Sequence, residues 1–389
     1  MTFAAEIAFW ASVALVFYPY LGYPCALMVL CLLRNRPVKK AETWDRPPRV
    51  SFIITARNEA ARMRAKIENT LGQDYPPEAL EVIVASDCST DGTDDIVASF
   101  SGRVRLARAP ERKGKEAAQQ LALGVASGEI LIFSDVATAL ASDGVSRMVA
   151  NFADPTVGCV SSVDRFVETD GRMSGEGAYV RYEMFLRALE TRVNSLVGLS
   201  GSLFAARREV CRRWVADRPS DFNTLLNAVE MGLRGVLDVQ AAGYYRNIAD
   251  DRRELERKIR TAVRGIFVLT SNARMLNPLR YGLFAWQLAS HKLCRWLVPQ
   301  AMIAAAISNL LLASRSPLYA AAMLLQCGFY AAALAGAWTR ASGLRIPAYL
   351  LRSNLGVLVA WLRFAGGDRI AMWNPSERLG LPPQVGARR

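Results

Sequence analysis

Acidic side chains stand at three places where an apolar run stops. VSFIIT (Val50–Thr55) leads into Arg57-Asn58-Glu59-Ala60. EVIVAS (Glu81–Ser86) leads into Asp87-Cys88-Ser89-Thr90-Asp91-Gly92-Thr93, and EILIFS (Glu129–Ser134) into Asp135-Val136-Ala137-Thr138. Ionised carboxylates only accept hydrogen bonds, so such a set suits a ligand rich in hydroxyl and N–H donors, or a hard cation. The bland alternative is a set of solvated loops that happen to be acidic. His291 is the only histidine, which excludes a multi-histidine metal site and a Ser-His-Asp triad with a spare base. The seven cysteines include no CxxC pair. Cys25 and Cys327 lie in apolar stretches and Cys88 among the acidic residues, so neither a disulfide framework nor a zinc site is implied.

The elements that must position these residues alternate in type. After Pro47 and Pro48, which end a linker, the order is a strand at Val50–Thr55, a helix at Ala60–Leu71, a turn at DYPPEAL and a strand at Glu81–Ser86. A helix from Thr93, a short strand near Val104–Leu106, a helix over Lys115–Ser127 and a strand at Glu129–Ser134 follow. Alternation of this kind predicts an α/β fold with a mostly parallel sheet. Ligands bind such sheets beyond the carboxyl ends of the strands, where the three acidic clusters fall.

Hydrophobic residues make up 52% of the 389 residues, and the net charge is +13. The apolar residues are concentrated. Ile7–Leu33 carries no charge and is long enough to cross a bilayer, with Pro19 and Pro24 as expected kinks. It lacks the basic n-region of a cleaved signal peptide and is too long for one. Arg34, Arg36, Lys39 and Lys40 follow at once, which places that end in the cytoplasm and the N-terminus outside. Two further uncharged runs, Trp296–Ser314 and Ser316–Thr339, read as a helical hairpin, with Arg340, Arg345, Arg352 and Arg363 beyond it. Leu355–Leu362 is short and flanked by arginines, which favours an interfacial or re-entrant helix over a fourth span. The expected organisation is a membrane helix over 1–36, an α/β domain over 47–290 with interfacial helices at its C-terminal end, a membrane hairpin over 291–340 and an interfacial or re-entrant helix with a cytoplasmic tail over 341–389. The basic balance suits the anionic inner face of a membrane. No nucleic-acid-binding signature is present, and no nucleic-acid partner is expected.

Taken together in order and spacing, TARNEA, ASDCSTDGT, RKGKEAAQQLALGVASGEILIFSD and the later SDF resemble the family-2 glycosyltransferases with a GT-A fold, over roughly Val50 to Pro299. SHKLCRW with Pro299 resembles the membrane-bound bacterial members that act in polysaccharide assembly. The resemblance implies an inverting transferase at the cytoplasmic membrane, multi-pass, with its catalytic domain on the cytoplasmic side. Its donor would be a nucleotide-sugar, with uridine as the base, and its acceptor lipid-linked or a glycan, with an export or assembly partner. By match, Glu59 would hold ribose or base, Asp87 and Asp91 would read base edge and ribose, and Lys115 would sit near the phosphates. Asp91 can equally cap the helix from Thr93, and Lys115 can be a solvated lysine at a helix start. Asp135 is the candidate ligand for Mg²⁺ or Mn²⁺, but Ala137 replaces the second acid of a DxD motif, so metal dependence is in doubt.

The resemblance also implies a general base after a GxxxAxRR region; here GSLFAARREV (Gly201–Val210) precedes PSDF, which points to Asp221, and Asp221 can also be a helix cap. Gly201 allows close approach of a ligand or simply a turn. RRELERKIRTAVRG is a basic amphipathic segment whose Arg260 could meet the donor phosphates or lie on lipid headgroups. No Trp occupies the place of the processive relatives' QxxRW. His291 reads as structural, and Trp373 as an interfacial anchor. The competing functions are a processive synthase subunit and a non-catalytic nucleotide-sugar-binding scaffold.

Overall fold

The computed structural model describes residues 2–167, 178–246, 251–339 and 342–369. They form two compact units, Leu30–Ala249 and Met1–Val29 with Asp250–Arg369.

The chain starts in the helical unit. Helix α1 (Thr2–Phe17) and helix α2 (Tyr23–Leu33) are joined by a π-helical turn over Tyr18–Gly22. Pro19 sits in that turn, where its missing N–H and its ring disrupt the regular helical ladder.

In the α/β unit, β1 (Val50–Ala56), β2 (Leu80–Ser86), β3 (Val104–Arg108) and β4 (Ile130–Asp135) pair in parallel, in the order β3-β2-β1-β4. Every residue of β1 is buried, as a central parallel strand covered on both faces requires. Helices α3 (Ala60–Leu71), α4 (Thr93–Ala98) and α5 (Lys115–Val125) connect these strands. The sheet continues through β7 (Leu203–Arg207), β6 (Val157–Val167), β8 (Arg234–Arg246) and the short β5 (Ala139–Leu140). Strand β7 runs antiparallel to both β4 and β6. Helices α6 (Gly144–Ala150), α7 (Ala178–Val193) and α8 (Ser220–Glu230) complete the unit. The mixed, mostly parallel sheet and its helices are the GT-A architecture the sequence leads one to expect. Register sets Thr55 opposite Asp135 and Ala56 opposite Ser86, so the ends of β1, β2 and β4 come level at one edge.

The segment before β1 belongs to this unit rather than being a free linker. Arg36 N–H donates to Arg192 O, and Ala41 N–H to Ala150 O. Arg234, buried, donates to Arg36 O, Pro37 O and the Asp154 carboxylate, and Lys40 pairs with the buried Asp238 at 2.8 Å.

The rest of the helical unit comprises α9 (Asp251–Ser271), α10 (Pro278–Tyr281), α11 (Leu283–Leu288), α12 (Arg295–Leu312), α13 (Pro317–Thr339) and α14 (Arg345–Ala365). The helical unit takes up the chain again at Asp250: α9 packs on α14, and α11 runs through a second π turn into α12. Three helical stretches, Phe3–Leu33, Leu283–Leu312 and Pro317–Thr339, are long and apolar enough to span a membrane. The first and third match the expected runs, and the second begins earlier than Trp296. Helix α14 exposes Leu355, Val359 and Leu362 and carries Arg345, Arg352 and Arg363. Trp373 lies outside the described residues.

Candidate functional site

The loops after β1 and β2 hold each other in an uncommon backbone conformation. Asn58 and Cys88 are the non-glycine residues with positive φ among those described, at 52° and 57°. Such conformations persist where surroundings fix them, and they cluster at functional sites. Here the Asn58 side-chain Oδ1 accepts from Thr90 N–H at 2.9 Å, Asn58 N–H donates to Ser89 Oγ, and Glu59 N–H donates to Thr93 Oγ1 at 2.8 Å.

Glu59 opens α3 without capping it through its side chain. It is buried and paired with Arg62 at 2.5 Å. Burial raises its pKa; Arg62 opposes that, while the charges of Asp135 and Asp91 add to it. Glu59, Asp91 and Asp135 thus share one electrostatic environment. Asp91 accepts from Ala60 N–H at 3.0 Å, Thr93 N–H at 3.1 Å and Thr93 Oγ1. Burial pushes its pKa up, but these hydrogen bonds outweigh that and hold the carboxyl below its ordinary value. It therefore ties together the starts of α3 and α4.

Asp87 is fully buried. Its Oδ1 accepts from Lys113 N–H at 2.9 Å and Gly114 N–H at 3.0 Å, which shapes the turn into α5. Gly114 has φ 98°, a conformation other residues resist. The next residue, Lys115, sends its Nζ to Asp135 Oδ1 at 2.5 Å and to Gly201 O at 2.8 Å. A Cβ built on Gly201 would lie 3.3 Å from Asp221 Oδ2, so this glycine leaves room for that carboxylate. Asp221 stands in the first turn of α8, whose N-cap is Pro219 and which has no side-chain cap. Among the described residues its carboxylate makes no hydrogen bond or ion pair. Asp87, Lys115, Asp135, Gly201 and Asp221 thus form one contiguous path. A cation lies beside one acid, and an acid whose oxygens are free among the described residues lies at the far end.

Residues 51–215 match the family model described as glycosyl transferase family 2. They form a family-2 glycosyltransferase domain. The transferase domain is 33% identical over 131 residues to the succinoglycan biosynthesis protein ExoO of Rhizobium meliloti (strain 1021), covering 33% of this chain and 36% of that protein. It is 25% identical over 234 residues to the beta-monoglucosyldiacylglycerol synthase of Nostoc sp., covering 57% and 49%. The chain thus spans less than half the length of these curated relatives. Among solved structures, the mannosyltransferase PcManGT from Pyrobaculum calidifontis, determined with GDP-Man and Mn²⁺, superposes with a TM-score of 0.73. It shares 25% identity and covers 94% of this chain and 99% of its own.

The transferase domain gathers Glu59, Asp87, Asp91, Lys115, Asp135 and Asp221. Arg260 lies in α9 of the helical unit, beside Arg257 and Arg264; burial, then the charges of Arg264 and Arg257, lowers its pKa. His291, buried in the helical unit, lies 3.2 Å from an Arg295 nitrogen. No group of three or more His, Cys, Asp or Glu able to hold a metal ion occurs among the described residues. Asp135 alone still fits a cation that takes most of its ligands from a diphosphate and water, as Mg²⁺ does.

Sequence reasoning passed over two features. Asn58 signals its role only through a tolerance of positive φ. Lys66 sits one residue before Ile67 on the buried face of α3, with Met63 and Thr70, where an apolar residue is the rule; that was the available signal.

Proposed function

We propose that the protein is an inverting glycosyltransferase that moves one sugar from a nucleoside diphosphate donor to a lipid-linked or glycan acceptor at the cytoplasmic face of a membrane. The observation that carries this reading is the path Asp135–Lys115–Gly201–Asp221 at the carboxyl edge of the sheet. Leaving-group charge grows as the bond between the anomeric carbon and the diphosphate breaks. Lys115 is placed to meet that charge. Asp221 takes the proton from the acceptor hydroxyl as its oxygen bonds to the anomeric carbon, opposite the departing diphosphate. Attack from that side inverts the centre. Asp91, exposed, and Glu59 lie at the nucleoside end, while Asp87 acts through the turn it holds. A divalent cation bound by Asp135 would supply further charge neutralisation at the diphosphate.

Uridine follows from the family resemblance. PcManGT, solved with GDP-Man, makes guanosine the alternative to include. Three candidate spans and the missing tryptophan favour transfer of single sugars over processive synthesis, because exporting a growing chain needs a channel. The apolar helices and the basic, amphipathic α9 and α14 support a multi-pass membrane location and a lipid-linked acceptor.

Purified membranes offered a panel of UDP- and GDP-sugars with Mg²⁺ or Mn²⁺ should release nucleoside diphosphate with one donor class. Asp135→Ala should raise the metal concentration needed for half-maximal rate at least tenfold. Absence of release with every donor contradicts the proposed activity, and an unchanged metal response removes Asp135 as the ligand.

A further inference from the structure

Lys66 is fully buried in the transferase domain, beneath the acidic edge of the sheet, and no carboxylate pairs with it among the described residues. A buried ammonium is costly unless its surroundings use it. Its Nζ donates to Ser134 Oγ at 2.7 Å and to Thr138 O at 2.5 Å, and lies 5.2 Å from the centre of the Phe52 ring. Those two oxygens bracket Asp135. Ser134 Oγ in turn donates to Asp135 O at 3.2 Å, and Thr138 N–H donates to the same carbonyl at 3.2 Å. The turn Asp135-Val136-Ala137-Thr138 is therefore closed by one backbone bond and locked from below by one ammonium. Burial lowers the pKa of Lys66 to about 7, against the charge of Asp135, which raises it. The ammonium feels that carboxylate without touching it.

We infer that Lys66 is a positioning residue for the donor diphosphate. It fixes the turn that presents Asp135 from the buried side, through its bonds to Ser134 Oγ and Thr138 O. In this chain the turn carries no second acid to help anchor it to a bound cation and diphosphate, since Ala137 stands there. The anchoring comes instead from the protein side. The inference rests on the proposed donor site but concerns a residue that never touches the donor. Its loss acts through geometry, and displacement of a binding group by about 1 Å can cost about 100-fold.

The test uses the full chain in detergent, with two readouts. One is the donor KM and kcat. The other is the affinity for UDP and GDP with Mg²⁺, measured by calorimetry, which needs no turnover. Lys66→Met should weaken nucleoside diphosphate binding and raise donor KM about tenfold or more, while kcat at saturating donor changes less than threefold. Ser134→Ala, a one-atom change expected to fold, should give a smaller rise of about two- to fivefold. The double variant should be no worse than Lys66→Met alone, since both act through one linkage. Asn69→Ala is the structural control. Asn69 bonds the Leu140 backbone from the same helix one turn on, at 2.9 Å in both directions, so its loss should lower Tm without moving donor KM. Donor KM and diphosphate affinity within twofold of wild type in Lys66→Met overturn the inference. So does an equal KM rise in Asn69→Ala. Should Lys66→Met not fold, an unchanged affinity in Ser134→Ala with Lys66→Gln overturns it. Failure of the wild type to turn over any donor contradicts the proposed function instead, and leaves the binding comparison as the test of Lys66.

Discussion

Asp135 and Asp221 lie on either side of the Lys115–Gly201 link, yet their partners differ. Asp135 is engaged by Lys115, whereas Asp221 faces the gap left by Gly201 with its oxygens free among the described residues. Lys115→Met should raise donor KM at least tenfold, because the cation facing the diphosphate is gone; steady-state kinetics with varied donor check this. Lys66 has its own signature in stability. An unfolded lysine titrates near 10.4, and the folded one at about 7. Between those values the unfolded chain binds the extra proton, so the wild type gains stability as pH rises, and the cost is full below about 7. The Tm of wild type minus that of Lys66→Met should therefore increase from pH 7 to pH 9 in thermal scans. A flat difference contradicts the lowering of the Lys66 pKa by burial. Glu59, Asp87, Asp91 and Asp135 were legible as residues because they follow or end strands, and Asp221 because its PSDF setting resembles the family's. Lys66 was not, since a lysine on an apolar helix face is usually at its edge, with its charge in water.

At the scale of elements, the strands were legible because central parallel strands are continuous apolar runs; β1 and β4 fall within one residue of their expected limits. Helix α5 ends at Val125, two residues short of expectation, where the chain turns extended at Ala126. What no local pattern could reveal was the strap over 34–41. Its anchors, Arg234, Asp154 and Asp238, are far away in sequence. Arg234 is 4% exposed and bonds Arg36 O, Pro37 O and Asp154. Arg234→Met should destabilise the transferase domain by about 3–5 kcal/mol, since it leaves a buried carboxylate and two carbonyls without their partner. Denaturant unfolding measures this directly, and a loss under about 1 kcal/mol would show the strap to be dispensable. Gly114→Ala, forcing a side chain onto φ 98°, should cost about 1–3 kcal/mol and weaken donor binding through the start of α5.

For the whole molecule, hydropathy alone made the helices that are long and apolar enough to span a membrane legible, because a span needs length and absence of charge more than any pattern. Helices α9–α11, expected as interfacial helices at the end of the α/β domain, group with the helical unit through contacts such as α9 on α14, which are far apart in sequence and which no local pattern carries. The proposed topology puts the basic residues after Leu33 inside. A single cysteine at Ser314, on a cysteine-free background, should accordingly be labelled from outside intact cells, and one at Arg46 only after permeabilisation; the reverse pattern inverts the topology. The central claim is that a free carboxylate at the start of α8 activates the acceptor. Asp221→Asn tests it most directly, with sugar transfer and donor binding measured on the same preparation. The account predicts a fall in kcat of about 100-fold or more with donor affinity within twofold. Transfer at the wild-type rate would contradict it.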